Sequence, residues 1–180
     1  CQEAEKQYLK KRGRELNRRN YQRELDQLIE NIQKENRVPK LFLHACCAPC
    51  SSYVLEYLSQ YFEITVFFYN PNISPEEEYR KRVREIRRLV SEMAFVHPVT
   101  ITEGKYDPKR FFEMARGLEK VPEGGERCFR CYRLRMEEAA QLAKEGGYDY
   151  FTTTLSISPL KNAPKINEIG EDLSKIYGVA

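Results

Sequence analysis

Of the six cysteines in this chain, five fall in two groups: Cys46, Cys47 and Cys50, then Cys128 and Cys131. The sixth, Cys1, is isolated and is expected to take no part. A Cys-x-x-Cys pair can aim both sulfurs at one metal ion, because a turn or helix start brings the two side chains together. Both groups stand at the start of a helical pattern, where backbone N–H groups favour the thiolate, the form that binds metal. With no secretory leader in view a disulfide framework is not expected, since the cytoplasm keeps thiols reduced. Four thiolates suit zinc and an iron–sulfur cluster equally. Five, two of them adjacent, exceed one tetrahedral zinc, and a cluster with a further thiolate or a second metal absorbs the surplus. Spacing alone leaves iron–sulfur, zinc and, in Cys47-Ala48-Pro49-Cys50, a thioredoxin-like thiol pair open.

Other residues have weaker claims. Asp107 and Glu119 could give a carboxylate to iron or a proton to a substrate, although acids near turns are usually solvated. Lys161 and Asn162, after a strand and before a helix, could hold a phosphate; capping explains them nearly as well. His44 reads as a satisfied core histidine and His97 as a strand or loop residue. Tyr69, Tyr132 and Phe129 could stack on a base, though aromatic residues here are more often core.

These residues need a scaffold, and the pattern supplies one. Leu41 to Ala45, Ile64 to Tyr69, Val96 to Thr102 and Asp149 to Leu155 read as strands. Helical patterns follow at Tyr53 to Leu58, Pro75 to Met93, Pro108 to Arg116, after Cys131 to Glu145, and from Pro164 to Tyr177. Alternation of this kind predicts an α/β fold, a parallel sheet with helices on both faces, whose ligands sit beyond the carboxyl ends of the strands. The loops at residues 46–52, 70–75 and 156–162 all fall there. Residues 1–37 read as a helical, basic arm and 38–180 as the catalytic domain.

The net charge is only +3, but it is unevenly spread. Lys10, Lys11, Arg12, Arg14, Arg18, Arg19 and Arg23 crowd the arm, and Arg80, Lys81, Arg82, Arg84, Arg87 and Arg88 form a second cluster. Each fits a polyanion partner or a solvated helix face. No apolar run approaches the roughly 20 residues of a membrane span, so a cytoplasmic protein is expected.

The segment Leu43-His44-Ala45-Cys46-Cys47-Ala48-Pro49-Cys50-Ser51 resembles the opening motif of the cobalamin-independent epoxyqueuosine reductases, the QueH family. The likeness continues through Tyr69-Asn70-Pro71-Asn72-Ile73-Ser74-Pro75, Tyr106-Asp107-Pro108, Pro122-Glu123-Gly124-Gly125 and Arg127-Cys128-Phe129-Arg130-Cys131. It closes with Phe151 to Pro159, Lys161-Asn162 and Ile166 to Gly170. The resemblance implies a HUP-like (nucleotide α-hydrolase-like) fold in which the cysteine motif replaces the usual phosphate loop. It also implies reduction of epoxyqueuosine to queuosine at the wobble position of tRNA, the last step of queuosine formation. A [4Fe–4S] cluster with an additional mononuclear iron is the implied cofactor, held by Cys46, Cys47, Cys50, Cys128 and Cys131. Epoxyqueuosine-containing tRNA and an unidentified electron donor are the implied partners. Members continue to a further Tyr-Cys-Gly-Cys segment that is not found here, and Asp107 could fill a vacant metal position. Tyr69 and Lys161 are the other residues expected at the reacting centre. The competing readings are an ATP-dependent tRNA thiolation enzyme, against which no Ser-Gly-Gly-x-Asp-Ser loop is found, and a zinc-stabilised RNA-binding module without catalysis.

Overall fold

A computed structural model describes residues 19–180. Residues 1–18 of the expected arm, with Cys1 and the basic residues Lys10 to Arg18, lie outside the described residues. The chain divides between Arg37 and Val38 into two units. In the first, helix α1 (Tyr21–Lys34) starts where the Asn20 side chain accepts a hydrogen bond from the Arg23 N–H, and it buries Ile29 and Ile32.

The second unit is an α/β domain. Its elements run β1 (Lys40–His44), α2 (Ala48–Leu58), β2 (Glu63–Phe68), α3 (Glu76–Glu92), β3 (Val99–Glu103), α4 (Pro108–Ala115), α5 (Glu126–Glu145), β4 (Tyr150–Thr153), a 3₁₀ turn (Thr154–Ile157) and α6 (Ala163–Tyr177). The four strands form one parallel sheet in the order β3-β2-β1-β4. Strand β1 is central, and Leu41, Phe42, Leu43 and His44 are all buried. That is why its sequence reads as a continuous apolar run rather than an alternating one. The parallel strands are joined by crossover helices that flank the sheet. On one face α5 lays Ala139 and Ala143 against Phe42 and Phe67, small residues that let the helix sit close. Helix α6 then packs on α5 through Met136, Ala140, Ile166, Ile169 and Leu173.

The helices begin as their sequences direct. Glu76, Glu77 and Glu78 fill the first turn of α3, and Asn162 caps α6 by accepting from the Lys165 N–H. Two strands are shorter than the sequence suggests. Strand β3 begins at Val99 instead of Val96, behind Pro98, which has no N–H to give a ladder. Strand β4 ends at Thr153, whose hydroxyl accepts the Leu155 N–H and tightens the chain into the 3₁₀ turn.

The chain leaves β1 toward β2 and β3, then returns to the opposite side of β1 as β4. The crevice between the carboxyl ends of β1 and β4 is therefore the topological switch point, the place where such sheets receive ligands. The 45–47 turn into α2 leaves one lip of it and the 3₁₀ turn the other. Among the described residues, no helix is long and apolar enough to cross a membrane.

Candidate metal centre

Cys46 lies one residue past the end of β1, after Ala45, and its N–H donates to the Thr154 hydroxyl (3.1 Å), tying the two lips of the crevice together. Cys47 takes the N-cap position of α2 in extended conformation and Cys50 lies in the first helical turn. The three sulfurs lie within 4.8 Å of one another. Sequence and fold therefore converge on one feature, three soft donors at a helix start at the switch point.

Their protons are shared unequally. Cys46 and Cys47 have sulfurs 3.7 Å apart. Hydrogen bonding from Cys46 brings the Cys47 thiol down to about 7, while the same bond and burial push Cys46 upward. Burial raises Cys50. Lys161, on the loop before α6, acts on Cys46 and Cys50 by lowering both.

Cys128 and Cys131 sit in the first two turns of α5. The Gly124 N–H points at Cys128 Sγ (3.3 Å). Both cysteines line a cavity of ≈270 Å³ with Asn72, Phe111, Arg127, Arg135 and Lys161. Lys161 thus stands between the two cysteine groups, and Cys46 and Cys128 pack against the same apolar cluster. The sulfurs of the second group do not join the tight triad; they face the neighbouring cavity.

Behind the cysteines is a buried polar chain that the sequence reading missed. Asn70 donates to the Ala45 carbonyl (2.9 Å), and Arg135 donates to Asn70 Oδ1 and to the Cys131 carbonyl (both 3.2 Å). The only signal in the sequence was Asn70 at the end of a strand; Arg135 lies within an ordinary helical pattern. His44 is fully buried, with Nε2 3.0 Å from the Tyr69 carbonyl and Nδ1 2.8 Å from Thr153 Oγ1. The carbonyl fixes the proton on Nε2, so Nδ1 accepts from Thr153. Burial and the nearby Arg135 charge hold this imidazole neutral, its pKa down to about 3. It is the satisfied core histidine that the sequence suggested.

The other singled-out residues fall as follows. Asp107 caps α4 by accepting from the Lys109 N–H (3.2 Å). Tyr69 is 1% exposed, and its hydroxyl has no hydrogen-bond partner among the described residues; its ring stacks on Phe67 with the Arg110 guanidinium 5.9 Å away. A Cβ on Gly104 would come within 2.8 Å of that ring, so only glycine fits beside it. Tyr132 is equally a core residue, and Phe129 is half-buried. Glu119 folds back onto the Gly117 N–H. His97 is half-buried at the approach to β3. The exposed aromatic beside the cysteines is instead Tyr53, one helical turn beyond Cys50, 67% exposed and stacked on Tyr57. In the second basic cluster, Arg80, Arg82, Arg87 and Arg88 pair with acids along α3 and β3. A ≈440 Å³ cavity beside Cys47 and Ser52 is lined by Lys81, Arg82 and Arg88 from that cluster.

The donor set fits a thiolate-held iron–sulfur group. The triad is all sulfur, the softness such clusters select. Two further thiols and the buried Arg135 cation adjoin it.

Residues 41–180 match the family described as epoxyqueuosine reductase QueH. The chain is 44% identical over 160 residues to the epoxyqueuosine reductase QueH of Streptococcus pyogenes serotype M1, covering 88% of this chain and 63% of that relative. Identity to the protein of the same name from Staphylococcus epidermidis is 42% over 164 residues, 89% of this chain and 69% of the relative. For Thermotoga maritima it is 34% over 145 residues, 77% and 70%. The chain thus spans about two thirds of the length of these curated relatives, and slightly less for the first.

Proposed function

Because the chain belongs to the epoxyqueuosine reductase QueH family, we propose that it reduces epoxyqueuosine to queuosine in the wobble position of tRNA, in the cytoplasm, with a [4Fe–4S] cluster and an additional iron. The observation that carries this reading is the Cys46–Cys47–Cys50 sulfur triad at the switch point of the sheet. Cys46, Cys47 and Cys50 would hold the group, with Cys128 and Cys131 completing its ligands from α5. When bound, it supplies electrons and Lewis-acidic iron to polarise the epoxide oxygen. Loss of that oxygen as water, leaving the cyclopentene double bond, consumes two electrons and two protons. The electrons come from a donor that this chain does not supply.

The protein's own groups do the rest. Thr154 fixes the Cys46 backbone, and the hydrogen bond from Cys46, at the α2 N-terminus, favours the thiolate at Cys47. Lys161 brings a cation to both cysteine groups, where an anionic substrate would meet it. The Asp107 carboxylate and the Tyr69 hydroxyl are the polar groups of the β2–α4 side, with the Arg110 guanidinium 5.9 Å from the Tyr69 ring. A wobble base must leave its stack to reach the crevice.

Protein purified without oxygen should contain iron and acid-labile sulfide in cluster proportions, absorb broadly near about 400 nm, and convert epoxyqueuosine tRNA in the presence of a reductant. Zinc alone, with no iron taken up on anaerobic reconstitution, would sink the redox reading.

A further inference from the structure

Arg135 is 4% exposed, yet among the described residues it forms no ion pair. Its hydrogen bonds go to neutral acceptors, Asn70 Oδ1 and the Cys131 carbonyl, and its guanidinium lies 6.0 Å from the centre of the Tyr132 ring. A buried charge without a counter-charge is costly and is retained only where something compensates it. His44 is neutral, and Arg135 itself helps keep it so. The cavity that Arg135 lines also receives Arg127 and Lys161, against one acid, Glu123. Neither of those cations forms an ion pair among the described residues.

The two cysteines in this cavity identify the missing partner. Arg135 donates to the Cys131 carbonyl and lines the same cavity as the Cys128 and Cys131 side chains. We infer that Arg135 is the counter-charge of the metal–thiolate group, a positioning residue that stabilises its more negative, reduced form. This rests on the iron–sulfur reading above. A fixed cation in a low-dielectric site favours the redox state with one more electron and so raises the midpoint potential.

The test uses the full chain, purified and loaded anaerobically, and compares Arg135→Gln, which keeps donors without charge, with Arg135→Lys, which keeps charge without the fork. Arg135→Met is a second neutral variant in case the glutamine chain does not fold. Midpoint potential is read by titration followed by electron paramagnetic resonance, and iron loss by the rate of transfer to a chelator. The neutral variants should titrate at more negative potential and release iron about ten-fold faster, while Arg135→Lys stays near wild type. A loaded neutral variant with wild-type potential and release rate overturns this inference alone. Wild-type protein that takes up no iron overturns the functional reading and this one with it.

Discussion

The Cys46 and Cys47 sulfurs, 3.7 Å apart, behave as a donor and an acceptor of one hydrogen bond, the deeper thiol keeping its proton so that the shallower can lose its own. Adjacent residues achieve this because Cys46 lies in the short turn after β1 and Cys47 already caps α2. In metal-free protein, iodoacetamide should therefore modify Cys47 ahead of Cys46 at neutral pH. The Cys47 rate should rise through about pH 7, and Cys46→Ala, which removes the donor, should move that midpoint upward. Mass spectrometry of the peptides across a pH series decides it; equal labelling of the pair would count against the hydrogen bond.

His44 gives a pH dependence of opposite origin. Its folded pKa is depressed to about 3 from 6.5, so below pH 6.5 the unfolded chain binds more protons. The stability it contributes is present above pH 6.5 and is lost as pH falls toward 3. From this group alone, metal-free protein should be about 2 kcal/mol less stable at pH 5 than at pH 7. Denaturant melts at the two values, wild type against His44→Gln, measure it. An NMR titration showing the ring charging near pH 6 would refute it.

Asp107 carries two assignments that one substitution separates. Asn caps a helix as well as Asp does, so Asp107→Asn should leave α4 intact and stability within about 0.5 kcal/mol. As iron ligand or proton donor, the carboxylate is irreplaceable, and epoxide reduction should fall at least about ten-fold. Unchanged turnover with unchanged iron content would leave Asp107 as a cap only.

Tyr53 offers the open aromatic face nearest the cysteines, and the chain has no tryptophan. In Tyr53→Trp the single indole reports that position directly. Its fluorescence should quench when an anticodon stem-loop binds, and Tyr53→Ala should weaken binding by roughly ten-fold, as loss of one base–aromatic stack does. RNA binding without quenching would place the loop elsewhere.

Much of this was legible in the sequence because it depends on local pattern. The apolar run of β1, the proline and acids opening α3, and the cysteines at helix starts are readable one segment at a time. What escaped depends on three-dimensional neighbours. Thr154 matters because β4 lies beside β1, 108 residues away along the chain. Arg135 looks like any basic residue of a polar helix until α5 is laid on the sheet with that side chain inward. Tyr69 and Tyr132 have the chemistry to meet a base, but packing buries both, and the exposed ring proved to be Tyr53. Single residues spoke through their type; their accessibility did not.

The Ala45–Asn70–Arg135–Cys131 chain has a consequence for how this sequence can drift. Asn70 is a junction that must donate to one backbone carbonyl and accept from a guanidinium at once, so an aspartate there loses the first contact and a leucine loses both. The two side chains of the relay, Asn70 and Arg135, depend on each other, while its ends are backbone carbonyls. Descendants that retain the cysteines should alter positions 70 and 135 as a pair or leave both alone, a covariation between two residues 65 apart that their separate roles would never suggest.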